Sequence, residues 1–225
     1  MRRLLLALSF LSLAPSARAQ PAFDYYLFSL SIAPDFCAAS KRNAGKDECR
    51  TLTAADFQQT PLTIHGLWPN RARVSVNQQP HDCDDPPFTL SRDVADALRR
   101  WMPAGPGLAR YEWRKHGTCS GLTPAVYFTA EIDLAQKANA VIGQSILQQG
   151  DTVRIADLQR RVAATDPALA AALIVDCRFV RGGTAVVEEI RLTLDRDLHP
   201  IPAASVGLGQ NSGCPAGQGR IAVPR

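Results

Sequence analysis

Hydrophobic and polar positions alternate most clearly near the start and the end of the chain. From Tyr25 to Ile32, the apolar Phe28, Leu30 and Ile32 are interleaved with Ser29 and Ser31, the period of a half-buried strand that ends at Pro34. Thr63 to Leu67 reads as a second, shorter strand, stopped by Pro69. Leu173 to Val180 is a buried apolar run. Val186 to Leu194 alternates again at Ile190, Leu192 and Leu194.

Between these ends the period changes to that of helices. Thr53 to Gln59 predicts a short helix capped by Thr53. Ser91 caps a run to Met102 with Val94, Leu98, Trp101 and Met102 on one face. Leu108 to Gly117 is the next helix. Thr123-Pro124, a cap followed by proline at the first helical position, opens a longer one that runs to Gly143. Arg154 to Ala164 and Pro167 to Leu173 are further helical patterns. Residues 38–50, 70–90 and the last 25 read as loop or coil, rich in charge, Asn, Pro and Gly. Helices in the middle and strands at both ends predict an α+β fold: a central, largely antiparallel sheet packed against several helices.

The first residues carry a different signal. Arg2 and Arg3 precede an apolar run from Leu4 to Ala14, and Ala17-Arg18-Ala19 is an A-x-A cleavage pattern. This predicts a secretory signal peptide over residues 1–19 and a single domain over 20–225. The run is too short to span a membrane, and no later stretch reaches the ~20 apolar residues a spanning helix needs. Removing the leader leaves 206 residues, enough for one sizeable core, and takes the formal charge from +4 to +1. Bulk charge therefore gives little argument for a nucleic-acid partner; a local patch is required. Arg178, Arg181, Arg191 and Arg196 offer either such a surface or a merely solvated strand face.

Export also sets the reading of the six cysteines. An even number in an oxidising compartment predicts three disulfides. No two cysteines lie closer than twelve residues, so the paired spacing of a zinc site is missing. Fifteen pairings are possible. Order and spacing favour Cys37–Cys49, Cys83–Cys119 and Cys177–Cys214, the second tying the His116 segment to the loop that follows His65.

Two short segments carry the chemistry: T-I-H-G-L-W-P-N (63–70) and Y-E-W-R-K-H-G-T-C (111–119). On a helix, Glu112, Lys115 and His116 sit at i, i+3 and i+4 and share a face. Trp113 points away, into the core, and Gly117 is a helix stop. His65 lies in an otherwise apolar stretch. Imidazole is the side chain that exists in both protonation states near neutrality, so two of them can take and give a proton in one reaction. Read singly, each feature has an ordinary explanation: a solvated helix face, a core histidine, a core tryptophan. His81, in the Asp-rich stretch H-D-C-D-D (81–85), and His199, before Pro200, read as solvated loop residues.

Taken together, H-G-L-W-P (65–69) and E-W-R-K-H-G-T-C (112–119) resemble the two active-site segments of the ribonuclease T(2) family. The opener Y-L-F-S-L-S-I-A-P-D-F-C (26–37) resembles that family's first strand and first cysteine, and Cys177 with Cys214-Pro215 its last disulfide. The resemblance implies a monomeric endoribonuclease that cuts single-stranded RNA, leaves DNA intact and needs neither metal nor cofactor. The 2′-hydroxyl attacks the adjacent phosphorus, giving a 2′,3′-cyclic phosphate, then a 3′-phosphate. It implies His65, Glu112, Lys115 and His116 as catalytic residues: His116 as base and His65 as acid, an assignment sequence does not fix, and Lys115 stabilising the charged phosphorus centre. Trp68 and Asn70 resemble the family's first base-binding site. Tyr111 stands where many members have a third histidine; its phenol can still hydrogen-bond a phosphate oxygen but brings no positive charge. Ile32 stands where many have tryptophan.

Three other readings have their own discriminators. A thiol hydrolase needs a free thiolate at Cys119. A metallophosphoesterase would lose activity in chelator. An extracellular RNA-binding or toxin-like module would keep the fold without turnover. Periplasm and secretion remain equal destinations.

Overall fold

In a computed structural model, described here for residues 22–38, 40–180 and 182–222, strands from both ends of the chain meet in one seven-stranded sheet. Strand β1 (Tyr25–Ile32) is followed by three short helices, α1 (Ala33–Ala38), α2 (Lys41–Ala44) and α3 (Asp47–Thr51), then α4 (Ala54–Gln59) and β2 (Leu62–Asn70). The helical middle comprises α5 (Arg92–Trp101), α6 (Gly105–Lys115), α7 (Pro124–Ala138) and α8 (Gln144–Leu147), the last two joined by one π-turn over Asn139–Gly143. Then come β3 (Thr152–Arg154), α9 (Ile155–Thr165), α10 (Pro167–Ala172), β4 (Leu173–Phe179), β5 (Ala185–Leu194), β6 (Asn211–Ser212) and β7 (Gln218–Arg220). The sheet order is β2-β1-β5-β4-β6, with β7 joining β5 and β3. Its long strands pair antiparallel; only the short β6 and β7 add parallel pairs. The α+β expectation holds.

Helices cover one face of the sheet. Phe28, Leu30 and Ile32 of β1, Leu62, Ile64 and Leu67 of β2, and Ile190, Leu192 and Leu194 of β5 point into the main core. There they join Tyr127, Phe128, Ile132 and Ala135 of α7. Helix α7 and the π-turn after it also serve the edge strand. Asn139 takes the Leu62 N–H (3.0 Å) and donates to the Leu62 carbonyl (2.9 Å), and the Tyr127 hydroxyl donates to the Leu67 carbonyl (2.5 Å). Backbone groups that an edge strand would leave open are thus satisfied, and β2 is held in place.

Several expectations need correction. Strand β1 is buried on nearly every residue rather than half-buried. It lies between β2 and β5, and Tyr25 and Leu27 are covered on the second face by Ile174, Ala203 and Val206. Strand β2 does not stop at Pro69 but runs to Asn70. At a sheet edge the missing N–H of proline leaves no neighbour unpaired. Within the expected loop 38–50, residues 41–44 and 47–50 are helical, with Ser40 capping α2. The C-terminal residues are not all coil, because β6 and β7 return to the sheet.

The disulfides are Cys37–Cys49, Cys83–Cys119 and Cys177–Cys214, and no described cysteine is free. No helix among the described residues is long and apolar enough to cross a membrane. The expected signal peptide, 1–19, lies outside the described residues.

Candidate active site

His65 owes its position to an irregularity. Ser29 of β1 pairs with Gly66, but the next residue, Leu30, pairs with Ile64, so His65 is an extra residue in β2. Such a bulge re-aims side chains and resets the inside–outside alternation. Ile64 and Leu67 both reach the core, while the imidazole turns to the second face of the sheet. There His65 Nδ1 meets Glu189 Oε1 at 2.5 Å, and its Nε2 lies 3.9 Å from Glu112 Oε1.

The second segment is the end of α6. Glu112 is buried, Trp113 enters the core as expected, and Tyr111 is exposed. His116 caps the helix with non-helical φ −124° and ψ −46°, its N–H on the Glu112 carbonyl at 2.8 Å. A 3-10 turn, Gly117–Cys119, follows. Gly117 must be glycine, because a Cβ there would strike the Trp113 ring. The loop before α5 is strapped to this end of α6. Cys83–Cys119 is one tie, and the Asp82 N–H to the Lys115 carbonyl (2.8 Å) is another. Asp82 also lies 3.8 Å from the Lys115 ammonium and 2.8 Å from His81 Nδ1.

Trp68 joins the two segments. Its indole N–H donates to Glu112 Oε2 at 2.8 Å. Its rings lie 5.1 Å from His65 and 5.3 Å from His116, centroid to centroid. Residues 65 and 116, fifty-one positions apart, are thereby placed on one indole with a carboxylate beside them. Trp68 is half-buried rather than a free platform, and Asn70 Nδ2 approaches the Tyr25 hydroxyl at 3.4 Å. Beyond His65 a groove of about 1260 Å³ runs past Thr63, Thr60, Lys46, Arg99 and Arg100. His116 does not line it.

The two imidazoles have opposite surroundings. Burial pushes His116 down to about 4, and the neighbouring charges of Lys115 and His65 add to this, with Asp82 opposing. Its Nδ1 is buried with no hydrogen-bond partner. Burial also acts to lower His65, but the bond to Glu189 and the charges of Glu189 and Glu112 outweigh it, against Arg191, and the net shift is upward. Glu112 is raised by burial, moderated by His65 and Trp68.

Three residues that sequence reasoning did not place belong here. Arg191, read as part of a basic surface, donates through Nε to Glu189 (2.8 Å) and through its terminal nitrogen to Asp176 (2.8 Å). The basic surface does not form from the described residues: Arg178 pairs with Glu188 at 3.2 Å, and Arg196 lies over the Phe23 ring. Arg181 is outside the described residues. The signal was present: Glu189 and Arg191, two apart, alternate with Ile190 and Leu192, so an acid and a base share the face opposite the core. His81 is half-exposed, and His199 is exposed and 3.5 Å from Asp195. Among the described residues no group of three His, Cys, Asp or Glu is arranged to hold a metal ion.

A disulfide-bonded α+β domain with two unlike imidazoles, a carboxyl and an ammonium on one sheet edge is laid out for paired proton transfer. The chain belongs to the ribonuclease T2 family, whose model matches residues 23–203. It is 32% identical to ribonuclease I of Escherichia coli over 156 residues, 56% of this chain and 58% of that protein. A ribonuclease of Aeromonas hydrophila is 34% identical over 115 residues, 51% of this chain and 46% of that one. The chain thus spans about half the length of these curated relatives. Its fold matches that of an RNase MC1 mutant solved in complex with 5′-GMP, with a TM-score of 0.68 at 20% identity, covering 89% of this chain and all of that one.

Proposed function

We propose that this chain is a metal-independent endoribonuclease that cleaves single-stranded RNA by attack of the 2′-hydroxyl on the adjacent phosphorus. The attack forms the 2′-O–P bond and breaks the P–O5′ bond, leaving a 2′,3′-cyclic phosphate and a free 5′-hydroxyl. The attacking hydroxyl must lose a proton and the leaving oxygen must gain one; a placed group contributes ~10²–10⁴-fold to each transfer. One observation carries the reading: two imidazoles flank a single indole and favour opposite protonation states. His116, pushed down to about 4, is neutral at pH 7 and is the base. His65, raised by its carboxylates, is the acid. A second pass, with water replacing the leaving alcohol and the roles reversed, gives the 3′-phosphate.

Lys115 stabilises the negative charge that builds on the equatorial oxygens. Glu112, raised by burial, sits beside His65 and the indole, where it accepts from Trp68, orients it and is offered to the reacting phosphate. Trp68 and Asn70 contribute to a nucleoside site, and the exposed Tyr111 offers a hydroxyl to phosphate. The groove past Lys46, Arg99 and Arg100 has room for further nucleotides, since ligand sites commonly occupy ~300–1,000 Å³. Three disulfides suit an oxidising compartment, so the working location is the periplasm or the exterior.

The test is product analysis on a defined oligoribonucleotide in excess chelator, with the matching deoxyoligonucleotide beside it. Expected are cyclic-phosphate ends on RNA and intact DNA. Loss of cutting in chelator, or cutting of DNA, would overturn the reading.

A further inference from the structure

The pair formed by His65 and Glu189 is built at some structural cost. Their strands, β2 and β5, are not neighbours, because β1 runs between them. Strands two apart are separated by roughly 9.5 Å, so the side chains must meet over β1. Where they cross, β1 presents Ser29 and Ser31, which pair with Gly66 and Thr63 on one side and with Arg191 and Glu189 on the other. Small side chains there leave the passage open. The bulge in β2 supplies the imidazole from one side. A second irregularity supports the other side: Asp176 pairs with Glu189 but Cys177 pairs with Val187, so Glu188 is an extra residue in β5. Glu189 is buried and is fixed at its second oxygen by Arg191, whose guanidinium also binds Asp176.

We propose that Glu189, anchored by Arg191 and Asp176, is a positioning residue. It fixes the proton on His65 Nδ1, so that Nε2 alone exchanges protons with the substrate, and it holds the ring as an imidazolium until the leaving oxygen is ready. This rests on the ribonuclease reading for its catalytic meaning, though not for its geometry. A carboxylate at 2.5 Å accepts from Nδ1, which leaves the ring's other nitrogen on the side of Glu112, Trp68 and His116. The charges that face His65 are Glu189 and Arg191 from β5, Glu112 from α6 and His116 at its end. Those around Glu189 are His65 from β2, Arg191 and Glu188 on its own strand, Asp176 from β4 and Glu112 from α6. Among the described residues only Glu189 is within hydrogen-bond distance of the imidazole, and its bond and charge, with the charge of Glu112, outweigh burial.

The experiment titrates the histidines by NMR in the whole protein and measures kcat/KM for an oligoribonucleotide against pH, for the parent, Glu189→Gln and Glu189→Asp. An opposite charge at this range is worth ~1–3 pH units of titration. In E189Q the His65 midpoint is expected to fall by about one unit or more, with the alkaline limb of the rate profile falling alongside it. E189D keeps the limb near its parental position even where its rate drops. An unmoved His65 midpoint in folded E189Q, or a moved midpoint with an unmoved limb, overturns the proposal. If E189Q does not fold, ¹⁵N shifts of the parent decide: Nδ1 protonated throughout, with Nε2 titrating, upholds the assignment, and the reverse tautomer overturns it. A parent that folds and titrates as stated but does not cut RNA sinks the function alone.

Discussion

The tightest geometric requirement at the site falls on a residue with no side chain. A Cβ added at Gly66 would lie 2.6 Å from Trp68 Nε1 and 3.1 Å from Glu112 Cδ, and closer still to Glu112 Oε2. It would sit inside the hydrogen bond that joins the two, now 2.8 Å long. The indole is rigid and packed between two imidazoles, so the Glu112 carboxyl must yield, by about an ångström. A hydrogen bond to a carboxylate is worth ~1.5–3 kcal/mol, which at 1.36 kcal/mol per decade is roughly 10–150-fold in rate. Misplacement by ~1 Å near reacting groups costs a similar ~10²-fold. Gly66→Ala is therefore expected to lower kcat/KM on an oligoribonucleotide about 100-fold. Overpacking of ~1–3 kcal/mol should lower Tm by only several degrees in a domain of this size. The assay is initial rate beside near-UV circular dichroism. Gly107→Ala, in α6 with nothing within 4 Å of the new methyl, is the control and should leave the rate unchanged. A folded Gly66→Ala protein cutting within threefold of the parent would show that the Trp68–Glu112 bond does not matter.

Other consequences are as direct. His65→Ala and His116→Ala should each lose ~10²–10⁴-fold or more in rate with Tm preserved; near-parental turnover by either would remove that residue from the mechanism. The kcat/KM profile should rise as His116 loses its proton near pH 4 and fall as His65 loses its own above the ordinary imidazole value of about 6.5. A profile rising only above neutrality contradicts this. Burial raises Asp35 to about 8 although its Oδ1 accepts the Ala222 N–H at 2.7 Å. A raised carboxyl contributes stability that is complete below about pH 4 and lost as pH climbs through its folded value. Asp35→Asn should thus gain on the parent between about pH 4 and 8, by up to ~1.4 kcal/mol per unit, read from urea midpoints. Opening Cys83–Cys119 with a double alanine variant should cost ~2–5 kcal/mol and slow cleavage, since it frees the turn after His116.

What the sequence disclosed depended on how local the determining physics was. Helices α5 and α7 were readable because Ser91 and Thr123-Pro124 mark their starts and apolar residues recur at helical spacing. The helices between Cys37 and Cys49 were not. They carry almost no core face, and a cap at Ser40 and a disulfide hold them instead. Strands β6 and β7 are too short to show a period. At the site, the chemistry of residues 65, 112 and 116 could be read as residue types, while their relation to Glu189 could not. That relation depends on one extra residue in β2 and one in β5, which decide which face each side chain takes. A bulge leaves no mark in hydrophobic periodicity except a skipped beat, visible here only as Ile64 and Leu67 sharing a core.

The contrast between the two histidines follows from magnitudes. His116 ends a helix, where the macrodipole favours an imidazolium by ~0.3–1 kcal/mol, under one unit of titration. Burial of an unpartnered ring can move it several units the other way. With Nδ1 lacking an acceptor and Lys115 adjacent, burial wins and the ring stays neutral. His65 is desolvated too, yet two carboxylates face it, one at hydrogen-bond distance. The same desolvation that would discharge it strengthens its attraction to them. One low-dielectric sheet edge therefore shifts two identical side chains in opposite directions, and the difference lies in which ring was given a carboxylate partner.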